Sequence, residues 1–453
     1  MKEYNRFSAR ASLAAVGMYL RQLKIWETVE EHVKIKQKQI KHAPLDKLLD
    51  AFMNILAGGQ GIVEVNTRVR SDPALQCAFG RRACADQSTI SETLNACDGL
   101  TVSQMRQALQ DIYRTHSQGY QHAYDEGYQV LDIDLTGLMA GRQAEHATKG
   151  YFSGQRNRRG RQLGRVLATQ YDEIVFEKLY PGTFQLEQNL QELVVEAEEV
   201  LELSPERRQR TIVRTDGGGG RDADINWLLS RGYFILVKVK NWQRTCKLGK
   251  SVQEWYPDLK VPDRQIGWVA TPHPYDGPTR QLAVRWPKAN GQWHYRVLVF
   301  NLTDEMLFEL SKQPLPTHLT QGELLAAIVD AYDLRGGGVE TTIKGSKGGL
   351  GVHKRNKRSF AAQEMLLLLA QLAYNLISWV RILLSNRMAT FLHFGMLRMV
   401  RDVFHITGKV RVNQQGQLLS ITLNREHNLA LPFFEALHPV LARNGLRLIL
   451  RQI

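Results

Sequence analysis

A change of hydrophobic period near residue 128 constrains this chain more than any other feature. Beyond it the apolar residues come in short strand-like runs, "YQVLDIDLTG", "GRVLATQYDEIVFEKLYPG", "TIVRTD" and "YFILVKVKN", separated by the helical "LEQNLQELVVEAEEVLEL" and "ADINWLLSRG". Two or three strands, then helix, strand, helix and strand, predict an α/β domain built on a mixed sheet. Residues 242–315 are strand-rich, as in "QIGWVATP", "QLAVRWP" and "HYRVLVFNLT", and the helical "GELLAAIVDAYDL" follows them, so this block interrupts the α/β domain instead of ending it. The expected division is a helical, DNA-binding region over 1–125, the α/β domain over 126–241 and 316–390, the β-rich insertion over 242–315, and a C-terminal hairpin with helices over 391–453.

In the N-terminal region "PLDKLLDAFMNILAG" predicts a helix closing at glycine, and "TISETLNAC" has the spacing of a capping box from Thr89 to Glu92. The stretch from Val65 to Cys97 is compatible with a helix-turn-helix or with a plain helical bundle. The one membrane-like run, "MLLLLAQLAYNLISWVRILL" from Met365, carries Gln371, Asn375, Ser378 and Arg381 at spacings of three and four, which predicts a buried amphipathic helix and no membrane partner. The apolar "ASLAAVGMYL" is not followed by a cleavage pattern, so a cytoplasmic protein is expected.

With 59 Lys and Arg against 45 Asp and Glu, the net charge of +14 points to a polyanionic partner, nucleic acid first. Cys77, Cys84, Cys97 and Cys246 form no C-x-x-C pair and there is no H-E-x-x-H, which argues against a zinc site or a disulfide framework. No G-x-x-x-x-G-K-[ST] follows a strand, so a nucleotide P-loop is set aside.

Three acids stand out by their surroundings. Asp134 ends the apolar "VLDID", Asp216 ends "TIVRTD" ahead of four glycines, and Glu340 is the only carboxylate between Asp333 and Glu364, inside a glycine-rich basic segment. Phosphodiester chemistry with two divalent ions about 3.5 to 4 Å apart uses carboxylates from separate elements as hard oxygen ligands. The glycines after Asp216 admit two readings. They either let a charged substrate approach the backbone, or make a turn into a helix whose first-turn acids Asp222 and Asp224 complement the helix dipole.

Taken in order, "LDIDLTG", "IVRTDGGGGRDADINWLLSRGYFILVKVK" and "YDLRGGGVETTIKGSK" resemble the DDE transposases of bacterial insertion sequences, specifically the insertion-sequence-four-like members with a β-rich insertion before the glutamate. The resemblance covers roughly residues 70–385. It implies a ribonuclease H-like fold, cut-and-paste DNA transposition, and two Mg²⁺ ions, with Mn²⁺ as a substitute, held by the catalytic residues Asp134, Asp216 and Glu340. Asp132, two residues before Asp134 on the same strand face, is a competing first ligand, and Thr136 in the D-x-T pattern favours Asp134. Tyr332, Arg335 and Lys347 match the family's remaining signature positions, which contact DNA near the reacting phosphate. Four residues separate Arg335 from Glu340 where the family pattern has three, and the segment is poor in helix formers. If one helical turn survives, Lys344 shares a face with Glu340. The acid-free run from Lys149 to Arg165, with Arg156, Arg158, Arg159 and Arg161, suits sequence-independent phosphate contacts, as does the basic segment after Glu340. Trp242, Trp255, Trp268, Trp286 and Trp293 fall in the insertion, either as core or as stacking surfaces for a flipped base. The implied partners are the terminal inverted repeats of the element and target DNA, with the protein acting as a homodimer. The alternatives are an inactive or repurposed copy that binds DNA, and a ribonuclease H-like metal-dependent nuclease without strand transfer.

Overall fold

The computed structural model describes residues 1–453 apart from 1–3, 40, 151, 153–156, 414, 416 and 444. The chain forms two compact units, one comprising 1–117, 139–147 and 343–453, the other 118–138 and 148–342. Residues 343–453 group with the N-terminal residues. The long helix Phe360–Ser385 groups with the N-terminal helices.

The second unit is built on one sheet. Its strands are β1 (Gln129–Met139), β2 (Thr148–Lys149), β3 (Arg159–Ala168), β4 (Glu173–Pro181), β5 (Thr211–Thr215), β6 (Phe234–Lys238), β7 (Tyr256–Pro257), β8 (Gln265–Trp268), β9 (Arg280–Pro287) and β10 (Trp293–Phe300). At its centre β4, β3, β1, β5 and β6 lie side by side in that order. β4 runs antiparallel to β3, while β5 is parallel to β1 and β6 to β5. This is the ribonuclease H-like order the sequence led us to expect. Both parallel partners are apolar because they are covered on both faces: all five residues of β5 are buried.

The β-rich insertion is not a separate block. β10 pairs antiparallel with β6, and β9, β8 and β7 follow outward, so the insertion extends the same sheet. Leu282, Leu298 and Phe300 of the insertion share one apolar cluster with Val130, Ile212 and Leu236 of the central strands and with Leu325 and Ile328 of helix Gln321–Arg335. That shared core fixes the helix against the sheet and sets the height at which its C-terminal end emerges.

The first unit contains a four-stranded sheet ordered Tyr4–Ser8, Gly408–Val412, Leu418–Asn424 and Arg447–Arg451, so the two chain ends close it together. Pro44–Leu56 is the predicted helix, followed by Gly58 at φ +77°. Residues 65–95 fold as three short helices, Val65–Arg68, Pro73–Ala78 and Gln87–Asn95. The last is capped by Asp86, whose side chain accepts the Thr89 N–H, so Thr89 lies inside the helix and not at its cap. Helix Phe360–Ser385 is long and apolar enough to cross a membrane, but most of it is buried within the protein. Its polar stripe is no solvent face: Gln371, Asn375, Ser378 and Arg381 are all buried, and Arg381 donates to the Phe394 carbonyl at 3.3 Å. All four cysteines are free.

Candidate active site

Parallel pairing of β1 with β5 ends at Ile133 opposite Thr215, and the next residue on each strand is a carboxylate, Asp134 and Asp216. The two acids thus stand together where the ladder stops. β1 itself continues to Met139, so Asp134 lies within the strand and only the parallel pairing ends there. Asp134 accepts the Leu135 N–H at 2.8 Å, and Asp216 accepts the Gly218 N–H at 2.7 Å.

The competing Asp132 has a different task. It faces Arg214 across the β1–β5 register and is fully buried. Both of its oxygens are occupied by the Arg214 guanidinium, at 2.7 and 2.8 Å, and a further 2.6 Å bond comes from the Thr169 hydroxyl. Arg214 also donates to the Ala331 carbonyl at 2.6 Å, tying the sheet to the helix that leads to Glu340. A carboxylate saturated in this way is a structural counter-charge. Asp134 is the less saturated of the two, bonded to the Leu135 N–H and paired with Arg335.

The segment poor in helix formers is helical after all. Helix Gln321–Arg335 runs into a π-helical turn, Gly336–Glu340, and then into helix Thr341–Gly349. A π turn takes up an extra residue within a continuing helix and is frequent at functional sites. Here the backbone kinks between two helices, and Glu340 lies just before the second of them. Gly338 departs from helical geometry, with φ −85° and ψ −109°. A Cβ on it would sit 2.7 Å from the Asp132 carboxylate and 3.0 Å from Thr169, both held in place by bonds of their own. Gly338→Ala is therefore expected to lower stability by about 1 to 3 kcal/mol, read by urea denaturation. Arg165, buried on β3, secures the next turn by bonding Glu177 at 2.5 Å and the Thr342 hydroxyl at 2.9 Å.

Between the acids lies Arg335. Its guanidinium is 3.1 Å from Asp134, 3.4 Å from Glu340 and 3.2 Å from the Ile133 carbonyl, and its side chain is only 4% exposed. The Arg335 guanidinium is stabilised as a cation by Asp134 and by Asp216. Burial pushes the Asp134 carboxyl above the usual carboxylate range, and the charges of Asp216 and Glu340 push the same way, while Arg335 opposes them. Tyr332, one turn earlier, donates to the Thr215 carbonyl at a long 3.4 Å. Lys238, which closes β6, is a residue the sequence reading missed. Burial lowers its pKa, and the carboxylates of Asp216 and Asp134 raise it. A lysine inside the apolar "FILVKVK" was the available signal, as was Arg214 inside "TIVRTD".

The first three glycines after Asp216, Gly217–Gly219, form a 3₁₀ turn ending at Gly220. A Cβ on Gly220 would meet the Lys238 carbonyl at 1.9 Å, and one on Gly219 the Thr215 hydroxyl at 2.8 Å. Internal packing therefore requires at least these two. Asp222 pairs with Arg244 and His273, and Asp224 with Arg221, at the start of helix Asp222–Ser230.

Among the proposed phosphate contacts, Arg156 lies outside the described residues. Arg158 is exposed and Arg159 half-buried, whereas Arg161 is buried in β3 at 1% exposure and offers no surface charge. Lys344 and Lys347 lie on helix Thr341–Gly349. Of the tryptophans, Trp268 packs at the shared core and donates to Gln321, and Trp255 and Trp293 sandwich Arg285 at 4.1 and 4.2 Å. Trp242 is 53% exposed.

Among the described residues no group of three or more His, Cys, Asp or Glu side chains is close enough to form a ready metal centre. The donor chemistry nevertheless fits a divalent cation. Asp134, Asp216 and Glu340 are hard oxygen donors within electrostatic reach of one another, and a cation, the Arg335 guanidinium, already bridges two of them. A metal ion in their midst would take over its role.

Asp134 and Asp216 thus stand where the parallel ladder ends, and Glu340 follows the helix Gln321–Arg335. The family described as "Transposase DDE domain group 1" matches residues 5–430, and the chain belongs to it. Members of that family are DNA-cleaving transposases that use divalent metal ions. No match is found among curated proteins. A cryo-EM structure of a piggyBac transposase synaptic complex with hairpin DNA is similar over 85% of this chain and 79% of that one, at 15% identity and a TM-score of 0.47, too distant to transfer residue roles.

Proposed function

We propose that the protein cuts DNA at the ends of its own insertion sequence and joins the freed ends to a target at the same centre. The observation that supports this reading is the Arg335 guanidinium paired with both Asp134 and Glu340, with Asp216 at electrostatic range of Asp134 and Asp132 withdrawn into a structural ion pair. Asp134, Asp216 and Glu340 would hold two divalent ions, Mg²⁺ or Mn²⁺. When bound, the ions stabilise the charge of phosphoryl transfer and make bound water acidic enough to act as nucleophile. Asp134 and Asp216 are fixed by the sheet and Glu340 by the helices on either side of it, so the acids are placed before DNA arrives. Arg158, Arg159, Lys344 and Lys347 would take backbone phosphates. The terminal inverted repeats and target DNA are the substrates, and two ends held together require two copies of the chain.

The test is incubation of purified protein with Mg²⁺ and a fragment carrying the flanks of its own gene, with cut ends mapped. Cuts at the element boundary followed by joining support the reading. Cuts without joining favour a nuclease, and binding without cuts favours an inactive copy.

Arg335 makes a separate prediction. The Arg335 guanidinium competes for the Asp134 and Glu340 carboxylates that would hold the ion, and charge-assisted bonds contribute roughly 1.5 to 3 kcal/mol each. Arg335→Gln should therefore bind Mn²⁺ about tenfold or more tightly in calorimetry. Its Asp134 carboxyl loses the neighbour that lowers its pKa, so protons should compete with Mn²⁺ at higher pH than in the wild type. Because burial raises this acid, its ionisation opposes folding. Its contribution to stability improves as pH falls through the raised value and is lost as pH rises.

A further inference from the structure

The first unit holds a cavity that the reaction described above does not use. About 410 Å³ in volume, it is lined by Arg10, Arg68, Lys354, Arg401 and His405, with Gln60 and apolar side chains filling the gaps and no carboxylate in its wall. These cations come from four distant stretches of chain, so no run of basic sequence explains their meeting. Glycines pin the walls. Gly58 has φ +77° and would bring a Cβ within 2.7 Å of Val400, and a Cβ on Gly349 would meet the Leu397 backbone nitrogen at 2.7 Å.

The charges inside are under-compensated. Arg68 is held by Glu64 at 2.6 Å and by the Ala57 carbonyl, and Arg401 by Asp402 at 2.9 Å. Among the described residues, no hydrogen bond or ion pair reaches the guanidinium of Arg10 or the ammonium of Lys354. Burial and the neighbouring Arg68 lower the Arg10 pKa, with Asp72 opposing, and burial, Arg10 and Arg68 lower that of His405. Like charges crowded at a half-buried concave surface repel one another unless an anion sits among them. The adjacent basic segment does not compete for that role throughout. Arg355 is buried and spends its guanidinium on the carbonyls of Leu350 and Gly59, and Lys357 bonds Ser91 at 2.6 Å.

We infer that this cavity is a phosphate-binding site, with Arg10 at its wall and Lys354 at its mouth. Lys354, Arg401 and His405 are exposed, so a phosphate that belongs to a longer polymer can enter. The volume lies in the range of small-ligand sites and exceeds what one inorganic phosphate fills. A backbone phosphate of nucleic acid is the source this favours. That choice of source rests on the DNA-binding reading given above; the site itself does not.

The experiment compares the wild type with Arg10→Gln/Lys354→Gln and with Lys354→Gln alone. The single variant replaces an exposed, unbonded side chain and keeps the test valid if the double variant is unstable. Binding of a fluorescent 20-base-pair duplex is followed against salt, and melting is followed with inorganic phosphate. The slope of log affinity against log salt should become shallower by about one in the single variant and by about two in the double. Inorganic phosphate should raise the melting temperature of the wild type more than that of the variants. Equal slopes and equal phosphate response would overturn the site while leaving DNA binding intact. If the wild type binds no duplex yet phosphate stabilises it alone, the site stands for free phosphate and the DNA-binding reading fails.

Discussion

Asp216→Ala should lose DNA cleavage by about 10³-fold or more while binding the same duplex within about twofold of the wild type. The cleavage loss corresponds to about 4 kcal/mol of transition-state stabilisation, at 1.36 kcal/mol per tenfold. Asp216 supplies a carboxylate at the end of β5 and makes one local hydrogen bond, to the Gly218 N–H. Its removal takes a charge from the reaction centre without opening a buried cavity, so the fold and the distant basic surfaces stay in place. The same substitution at Asp134 carries a second effect, because Arg335 then loses its nearest partner. Asp216 is the cleaner probe. Cleavage is read on end-labelled DNA with Mg²⁺, and binding by anisotropy in its absence. Activity equal to the wild type would remove Asp216 from the site.

Arg214→Ala should destabilise the second unit by about 3 to 5 kcal/mol, the cost of leaving a buried charge without its partner. Asp132 is fully buried, and among the described residues Arg214 is its ion-pair partner. The substitution also frees the Ala331 carbonyl that Arg214 caps. The effect should appear as a shifted urea midpoint and as impaired cleavage, since the helix leading to Glu340 loses its tie to the sheet. Replacing both partners by apolar residues, Asp132→Leu with Arg214→Met, should recover much of the stability, because neither charge is then buried. If Arg214→Ala unfolds at the wild-type midpoint, the pair is not structural, and the choice of Asp134 over Asp132 loses its basis.

The central sheet could be read from sequence because its parallel strands, covered on both faces, appear as short runs rich in apolar and β-branched residues, "TIVRT" and "FILVK". The two aspartates followed from those strand ends. What stayed hidden depended on partners distant in sequence. That the strands of the 242–315 insertion extend the central sheet is decided by β10 pairing with β6, and no local pattern encodes a pairing partner. The placement of Glu340 was obscured by Gly336, Gly337 and Gly338, poor helix formers that mark a kink between two helices, with Gly338 packed too close to Asp132 for any side chain. Periodicity found the stripe on the Phe360–Ser385 helix, but the helices that bury it include both the turn just after it, Ala389–His393, and helices far away in sequence such as Gly99–His116 and Pro44–Leu56. The basic run after β2 was overvalued, since a strand buries Arg161 and Arg165 where sequence shows only charge.

The most direct test of the account is a calorimetric titration of the metal-free protein with Mn²⁺, alongside Asp216→Ala and Arg335→Gln. Saturable binding that is lost in Asp216→Ala and tightened in Arg335→Gln is the predicted result. Binding of equal strength in all three proteins would place the metal elsewhere and contradict the assignment of Asp134, Asp216 and Glu340 as the catalytic centre.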